Sequence, residues 1–406
     1  MTLQKVTLKN FRTCGNVELT DLGHLTVLMG RNGVGKTNIL QGIEWLAQTA
    51  SASKAVDTDP FSIGIFSISA NPFLGQISFS VNGTSYRYTL KLNYSSGGII
   101  ASAIDGGVVQ TANLEEHLER QVVSGKWRNV LERKDKSVWG ADGDLLAEIH
   151  PAIPMLSAII SLKPYEYTKE DILAVQNYLR GVKYYPFDEV ANPSNEKLSG
   201  IVPQTEYKKW LAQVGDSISL DDSVVMRLLH MYLDRRNDFD ELKELLGFNG
   251  LGILSSIEVT DGLFTFDTYY FIRFQPGNGW EDVGLPSFAY EKLSSGTRRI
   301  IRILVSFFYD RNSLFLFEQP EDAIHPGLLR KLIDLLRGYD DKGQLIMTSH
   351  SSDLFNVLKP EEVRLVTMQG GATAIRALSE KELDSAKRYI NEEGSLSDFL
   401  EMLEDY

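Results

Sequence analysis

The sequence predicts a mixed α/β fold, with a sheet built from both ends of the chain and interrupted by a mostly helical insertion. Three observations carry this. Gly30-Arg31-Asn32-Gly33-Val34-Gly35-Lys36-Thr37 satisfies GxxxxGK[ST] and lies between an apolar run at 25–29 and a helical pattern at 39–46. Residues 76–81 and 85–92 alternate apolar with polar around Asn82-Gly83, a hairpin signal that predicts an antiparallel subdomain. Residues 314–317 and 345–348 are short apolar runs that read as buried strands delivering polar residues to a sheet edge.

The first stretch carries the chemistry. Glycines let backbone amides turn inward around a triphosphate, and the following helix presents its N-terminus to the negative charge. Arg31, Asn32, Gly33, Val34, Gly35, Lys36, Thr37 and Asn38 are therefore the expected ATP-binding residues, with Lys36 on the outer phosphates and the Thr37 hydroxyl on magnesium. A Gly-rich turn is the bland alternative, and the flanking strand and helix argue against it.

Around this loop, residues 5–11 and 17–19 read as strands, and the polar run after helix 36–48 reads as a loop reaching about residue 71. Residues 113–118 look helical, and the charged run 126–136 looks like a solvated surface. Further helices are expected at 153–162, 168–180, 205–213 and 221–246, without sustained heptads. The expected division is thus 1–110, an insertion lobe 111–250, and 251–406, which resumes with strands at 253–259 and 263–274 joined by Thr260-Asp261-Gly262. After residue 350 come two strands at 363–366 and 373–376, then acidic helices.

Bulk properties narrow the class. The 406 residues are 43% apolar and 10% aromatic, enough for sizeable cores. There is no run of about 18 apolar residues and no signal-peptide layout at Met1, so a cytoplasmic protein without a membrane span is expected. The single cysteine, Cys14, excludes an internal disulfide and reads as a half-buried small residue. A net charge of −13 repels nucleic acid, so DNA or RNA contact would need a local basic patch, for which Arg298, Arg299 and Arg302 or residues 126–136 are the candidates.

Three further stretches complete a candidate site. Glu318 ends the apolar run 314–317, where a metal-side carboxylate belongs, and His350 follows the strand at 345–348, where it can contact a terminal phosphate or attacking water. Leu293-Ser294-Ser295-Gly296-Thr297 opens a helix at 298–308, a second anion site or an ordinary helix cap.

The order GRNGVGKT, LSSGT, LFLFEQPE, TSH resembles the ABC-type ATPase heads of SMC, RecF-like and OLD-like proteins, and more narrowly the compact bacterial AAA_21 ATPases, many of them antiphage-defence components. That resemblance implies an ABC-type head, ATP and magnesium as ligands, and a head-to-head homodimer or higher oligomer. In it, Ser294, Ser295 and Gly296 of one chain would act on nucleotide held by Lys36 of another. It also implies an interface role for Asp322 and His325, against plain helix entry at Pro326, and a magnesium-sensing glutamine, for which Gln76 is the only candidate. The short stretch after His350 leaves no room for the nuclease domain of OLD-like relatives, so a separate effector, a nuclease or toxin, is expected.

One departure matters. Relatives commonly carry a second acid where Gln319 stands, and an amide cannot accept the proton of attacking water. Weak hydrolysis is expected, with Gln319, His350 and Glu318 as the catalytic set. Such an exchange is also what an experimenter introduces to trap the ATP state, and engineering is favoured over natural decay. The functional expectation is a sensor or regulatory switch in antiphage defence. The rival is a RecF- or SMC-like ATPase that clamps DNA, and a non-hydrolysing scaffold is a third class.

Overall fold

A computed structural model describes residues 1–52, 72–93, 113–150, 153–161, 166–187, 200–214, 223–264, 267–277, 286–392 and 394–403. Most of the expected loop to residue 71 lies outside them. The chain forms two compact units: Met1–Tyr185 with Asn312–Glu318 and Gly343–Tyr406, and Pro186–Arg311 with Gln319–Lys342.

The first unit holds two sheets. Six strands run in the spatial order Val182–Tyr185, Leu314–Glu318, Gln344–Ser349, Leu25–Met29, Val363–Gln369, Ala372–Ala377. Five are parallel and the last is antiparallel. Strands buried on both faces read as continuous apolar runs, which is why Leu25–Met29 is wholly buried. The second sheet has eight antiparallel strands, in the order Cys14–Leu19, Thr2–Phe11, Phe73–Val81, Thr84–Asn93, Asn113–Gln121, Trp127–Lys134, Ser137–Gly140, Leu145–Glu148. Helix Lys36–Ser51 buries Ile39, Leu40, Ile43, Leu46, Ala47 and Ala50 in a core shared with both sheets. Cys14 is fully buried rather than half-buried, and desolvation pushes its thiol up to about 12.

The expected helix at 113–118 is a strand. Its Glu and Leu content favours a helix, but Leu114, Glu116 and Leu118 alternate inward while the strand pairs with Thr84–Asn93. The charged run 126–136 is likewise a strand over most of its length, and Arg133 is completely buried. Arg133 Nη1 donates to Glu116 Oε2 at 2.8 Å and to the Ile153 carbonyl at 2.6 Å. Glu116 also accepts from the Tyr88 hydroxyl and the Met155 amide. Helices Met155–Ser161 and Glu166–Arg180 belong to this same unit, so the region expected as one helical lobe is divided: its first part extends the large sheet, and the second unit starts only at Pro186.

In the second unit, helices Gln204–Val214, Val224–Asp234, Arg236–Leu246, Ser295–Tyr309 and Pro326–Gly338 accompany a three-stranded sheet ordered Ile201–Pro203, Asp267–Pro276, Leu254–Phe264. The helix expected at 221–246 is broken at Arg235, whose backbone leaves helical geometry and whose side chain binds the Phe308 and Tyr309 carbonyls. Thr260-Asp261-Gly262 is not a turn: it continues its strand, opposite Phe271, Tyr270 and Tyr269. A buried ion pair, Arg227 to Asp310 at 3.2 Å, ties helix Val224–Asp234 to the end of Ser295–Tyr309.

Removing one member of a buried ion pair strands the other charge. Arg133→Met is therefore expected to destabilise the first unit by about 3–5 kcal/mol, read as a lowered urea midpoint.

Candidate functional site

The parallel strands end at one edge, where a sheet of this kind binds ligands. Ser349 is in register with Met29, so His350 and Gly30 are the next residues of neighbouring strands. Glu318 is in register with Thr348 on the other side. Of the sequence-predicted residues, the sheet thus brings together the phosphate loop, Glu318 and His350, and His350 is exposed.

The loop is held from outside by a relay of side chains. Asn38 Nδ2 donates to Thr13 Oγ1 at 2.8 Å, Thr13 pairs with Thr373 Oγ1 at 2.7 Å, and Thr373 donates to the Val34 carbonyl at 2.8 Å. Gly35 sits beneath this relay with φ of 99°, and a Cβ there would lie 2.0 Å from Thr373 Oγ1. Only glycine meets both demands. Neither Thr13 nor Thr373 was legible beforehand, since nothing in the sequence links residue 373 to the loop.

Lys36 is buried and donates to the carbonyls of Gly30 at 2.6 Å and Arg31 at 2.9 Å. These carbonyls hold the ammonium over the loop. Helix Lys36–Ser51 starts without a side-chain cap, which leaves its first amides for an anion. Arg31, Asn32 and Gly33 are exposed on the rim. Arg12 bonds Asn38 Oδ1 at 3.4 Å and also Gln41, adding a cation beside the helix start.

The Thr37 hydroxyl donates to one oxygen of Glu318, and the phenol of Tyr184 donates to the other. Burial, reinforced by the bond to Glu318, pushes the Tyr184 phenol above its ordinary range, so it remains a neutral donor. Gln76 lies in the strand expected after the first helix, Phe73–Val81, and its side chain is engaged within the antiparallel sheet. Its amide donates to Thr89 Oγ1 at 3.0 Å on the neighbouring strand.

These residues fit a nucleotide with magnesium. One carboxylate and one hydroxyl suffice for a cation that keeps waters and phosphate oxygens as its other ligands. Among the described residues no group of three or more His, Cys, Asp or Glu could hold a metal by itself.

The second unit carries the remaining candidates. Ser294 caps helix Ser295–Tyr309, accepting from the Thr297 amide at 3.2 Å, so the ordinary cap reading is realised, with Ser294 and Ser295 exposed. Gly296 packs so closely that a Cβ would stand 2.3 Å from the Ala323 carbonyl. Gln319 has a φ of 45°, a left-handed backbone costing about 1–2 kcal/mol for a non-glycine residue, and its carbonyl accepts from Arg299 at 2.8 Å. Asp322 lies 3.9 Å from Arg299, while His325 caps helix Pro326–Gly338 with Pro326 in its first turn. Arg302 reaches the Phe187 carbonyl at 3.5 Å. Arg299 and Arg302 are thus directed at protein groups.

Fold and site define a P-loop ATPase domain of the ABC type. Separate segments of the chain are similar to AAA ATPase families and to RecF. Residues 217–356 match the AAA_21 family, described as "AAA domain, putative AbiEii toxin, Type IV TA system", and residues 1–115 match AAA_15, an AAA ATPase domain. The DNA replication and repair protein RecF of Streptococcus thermophilus is 30% identical over 98 residues, 23% of this chain and 27% of RecF. RecF of Arthrobacter sp. strain FB24 is 39% identical over 64 residues, 16% of each chain. The chain thus spans about a quarter or less of the curated relatives it matches. Among solved structures, an SMC head bound to the C-winged helix domain of ScpA aligns with a TM-score of 0.49 at 15% identity, over 94% of this chain and 99% of that one. The SMC head domain from Thermotoga maritima aligns with a TM-score of 0.41 at 15% identity, over 93% and 100%. Among the described residues no helix is long and apolar enough to cross a membrane.

Lys36→Ala removes the cation expected to face the outer phosphates. ATP affinity by isothermal titration is expected to fall by more than about tenfold, or 1.4 kcal/mol; a smaller change would contradict the phosphate-loop assignment.

Proposed function

We propose that the chain is an ATP-dependent dimerising switch of antiphage defence, working in the cytoplasm and holding or releasing a separate effector, a nuclease or toxin. The observation that carries the switch reading is the pair Glu318-Gln319: the metal-side carboxylate is held against Thr37, and the next position, where a base is needed, is an amide. Magnesium held by Thr37 and Glu318 would neutralise phosphate charge. Lys36 and the amides of 33–38 hold the triphosphate, and His350 faces its outer end. Gln319 can orient a water but cannot take its proton, so the ATP-bound state is long-lived, whether the glutamine is native or introduced.

Exposed Ser294 and Ser295, with Gly296 beside them at a helix N-terminus, suit an anion supplied by another chain. In a head-to-head dimer each nucleotide would lie between the phosphate loop of one copy and this helix start of the other. Gln76 would serve the metal only by leaving Thr89. We assign the regulatory role to the insertion at 111–250, which the two units share. The match to a family described by a toxin system supports the defence reading. The local identity to RecF supports the DNA-clamp rival, which the net charge of −13 and the protein-directed arginines weigh against.

Gln319→Glu is expected to raise steady-state ATP hydrolysis by about 10²–10⁴-fold with little change in ATP affinity. Brisk hydrolysis with Gln319 in place would overturn its assignment.

With Gln319→Glu present in every chain, mixing Ser294→Arg chains with Lys36→Ala chains should restore one working composite site per heterodimer, measured as ATPase activity above either variant alone. Heterodimers without restored activity would refute the shared site. Salt-resistant binding of duplex DNA only with ATP would favour the clamp instead.

A further inference from the structure

The second oxygen of Glu318 is held by a residue that no sequence signal singles out. Strand Val182–Tyr185 runs parallel to Leu314–Glu318, with Tyr184 in register with Leu316. Its phenol extends along the sheet edge and donates to Glu318 Oε2, while Thr37 donates to Oε1. The tyrosine is itself anchored to the helix that begins with Lys36 and Thr37. Its backbone amide donates to Glu44 Oε1 at 3.0 Å, and Gln41 Nε2 lies 3.5 Å from its hydroxyl. Thr37, Gln41 and Glu44 lie on one helix at spacings of four and three, along a single face. That face, the tyrosine and the carboxylate form a closed set.

We propose that Tyr184 is a positioning residue for the metal-side carboxylate: its phenol fixes the rotamer of Glu318, keeping Oε1 turned to Thr37 where a divalent cation accompanying the nucleotide would be held. This rests on the ATP-and-magnesium reading of the same site. A carboxylate at the end of a strand has several rotamers, and a hydrogen bond to its far oxygen selects one. Partners of this kind, one step removed from a metal, commonly account for about 10–100-fold in metal affinity. The phosphate side of the site is served by other bonds: Lys36 donates to the Gly30 and Arg31 carbonyls, whereas Tyr184 bonds to Glu318, Gln41 and Glu44. Its loss should therefore fall on the cation's contribution to binding, not on the nucleotide's.

The test measures ATP affinity of the full chain by isothermal titration, once in EDTA and once with Mn²⁺; the ratio is the metal's contribution. Tyr184→Phe keeps the ring and its packing. It should leave metal-free ATP affinity within roughly twofold while cutting the Mn²⁺-dependent gain by about tenfold or more. On a Glu318→Gln background the same change should have no further effect, since the tyrosine acts through the carboxylate. An unchanged Mn²⁺-dependent gain in Tyr184→Phe, or an equal loss on both backgrounds, would overturn the proposal. So would loss of metal-free binding, which would mark Tyr184 as merely structural. An unmodified chain that binds ATP under neither condition would bring down the ATP reading first, and this proposal with it.

Discussion

The contact between Thr37 and Glu318 is the constraint on which the first unit depends. It joins residues 281 positions apart, so it exists only if the strand from the chain's last third lies at the right depth in a sheet that also holds Leu25–Met29, the strand leading into the phosphate loop. Strand Leu314–Glu318 is apolar and buried until its last residue, and that polarity switch places the carboxylate at the edge. A half-buried carboxylate with no donors would be costly; here two hydroxyl groups satisfy it, one from the phosphate-loop helix and one from the strand alongside.

The phosphate loop shows the same dependence on distant residues. A loop that must open its amides to an anion cannot satisfy itself internally, so its outer side is fixed by other elements. Thr13 from the first hairpin and Thr373 from a C-terminal strand do this, and they are also joined by a backbone bond from the Thr373 amide to the Thr13 carbonyl. Both ends of the chain thus converge on one loop.

This explains what the sequence made legible. Local patterns were readable: the loop with its strand and helix, the Asn82-Gly83 hairpin, the buried runs ending in Glu318 and Ser349. Residues 113–136 were misread because their period depends on a long-range partner. Glu116 counts as polar in any window, yet Arg133 makes it a core residue, and with it the alternation becomes visible. Tyr184, Thr13 and Thr373 carry no motif; their places follow from strand order, which one sequence does not reveal. Nor could one sequence reveal the partners of Gln76, whose strand pairs with those of Thr7 and Thr89 in the antiparallel sheet.

Gln319 and the helix start at Ser294 belong to the same unit and are tied within it. Arg299, one turn into that helix, donates to the Gln319 carbonyl, and Gly296 lies against the Ala323 carbonyl with no room for a side chain. Gln319 and Ala323 both adopt left-handed backbones, at φ of 45° and 61°, so the loop between them is held in a shape that unconstrained residues avoid. Under the composite-site proposal this has a mechanical meaning. The residue proposed for the hydrolytic position and those proposed to meet a partner's nucleotide lie in one unit, joined by a hydrogen bond. Displacing the helix start would drag the Gln319 carbonyl with it, because the guanidinium links them directly. Docking on the partner and placement of the hydrolytic position then cannot vary independently, which is the coupling a dimer-gated switch requires.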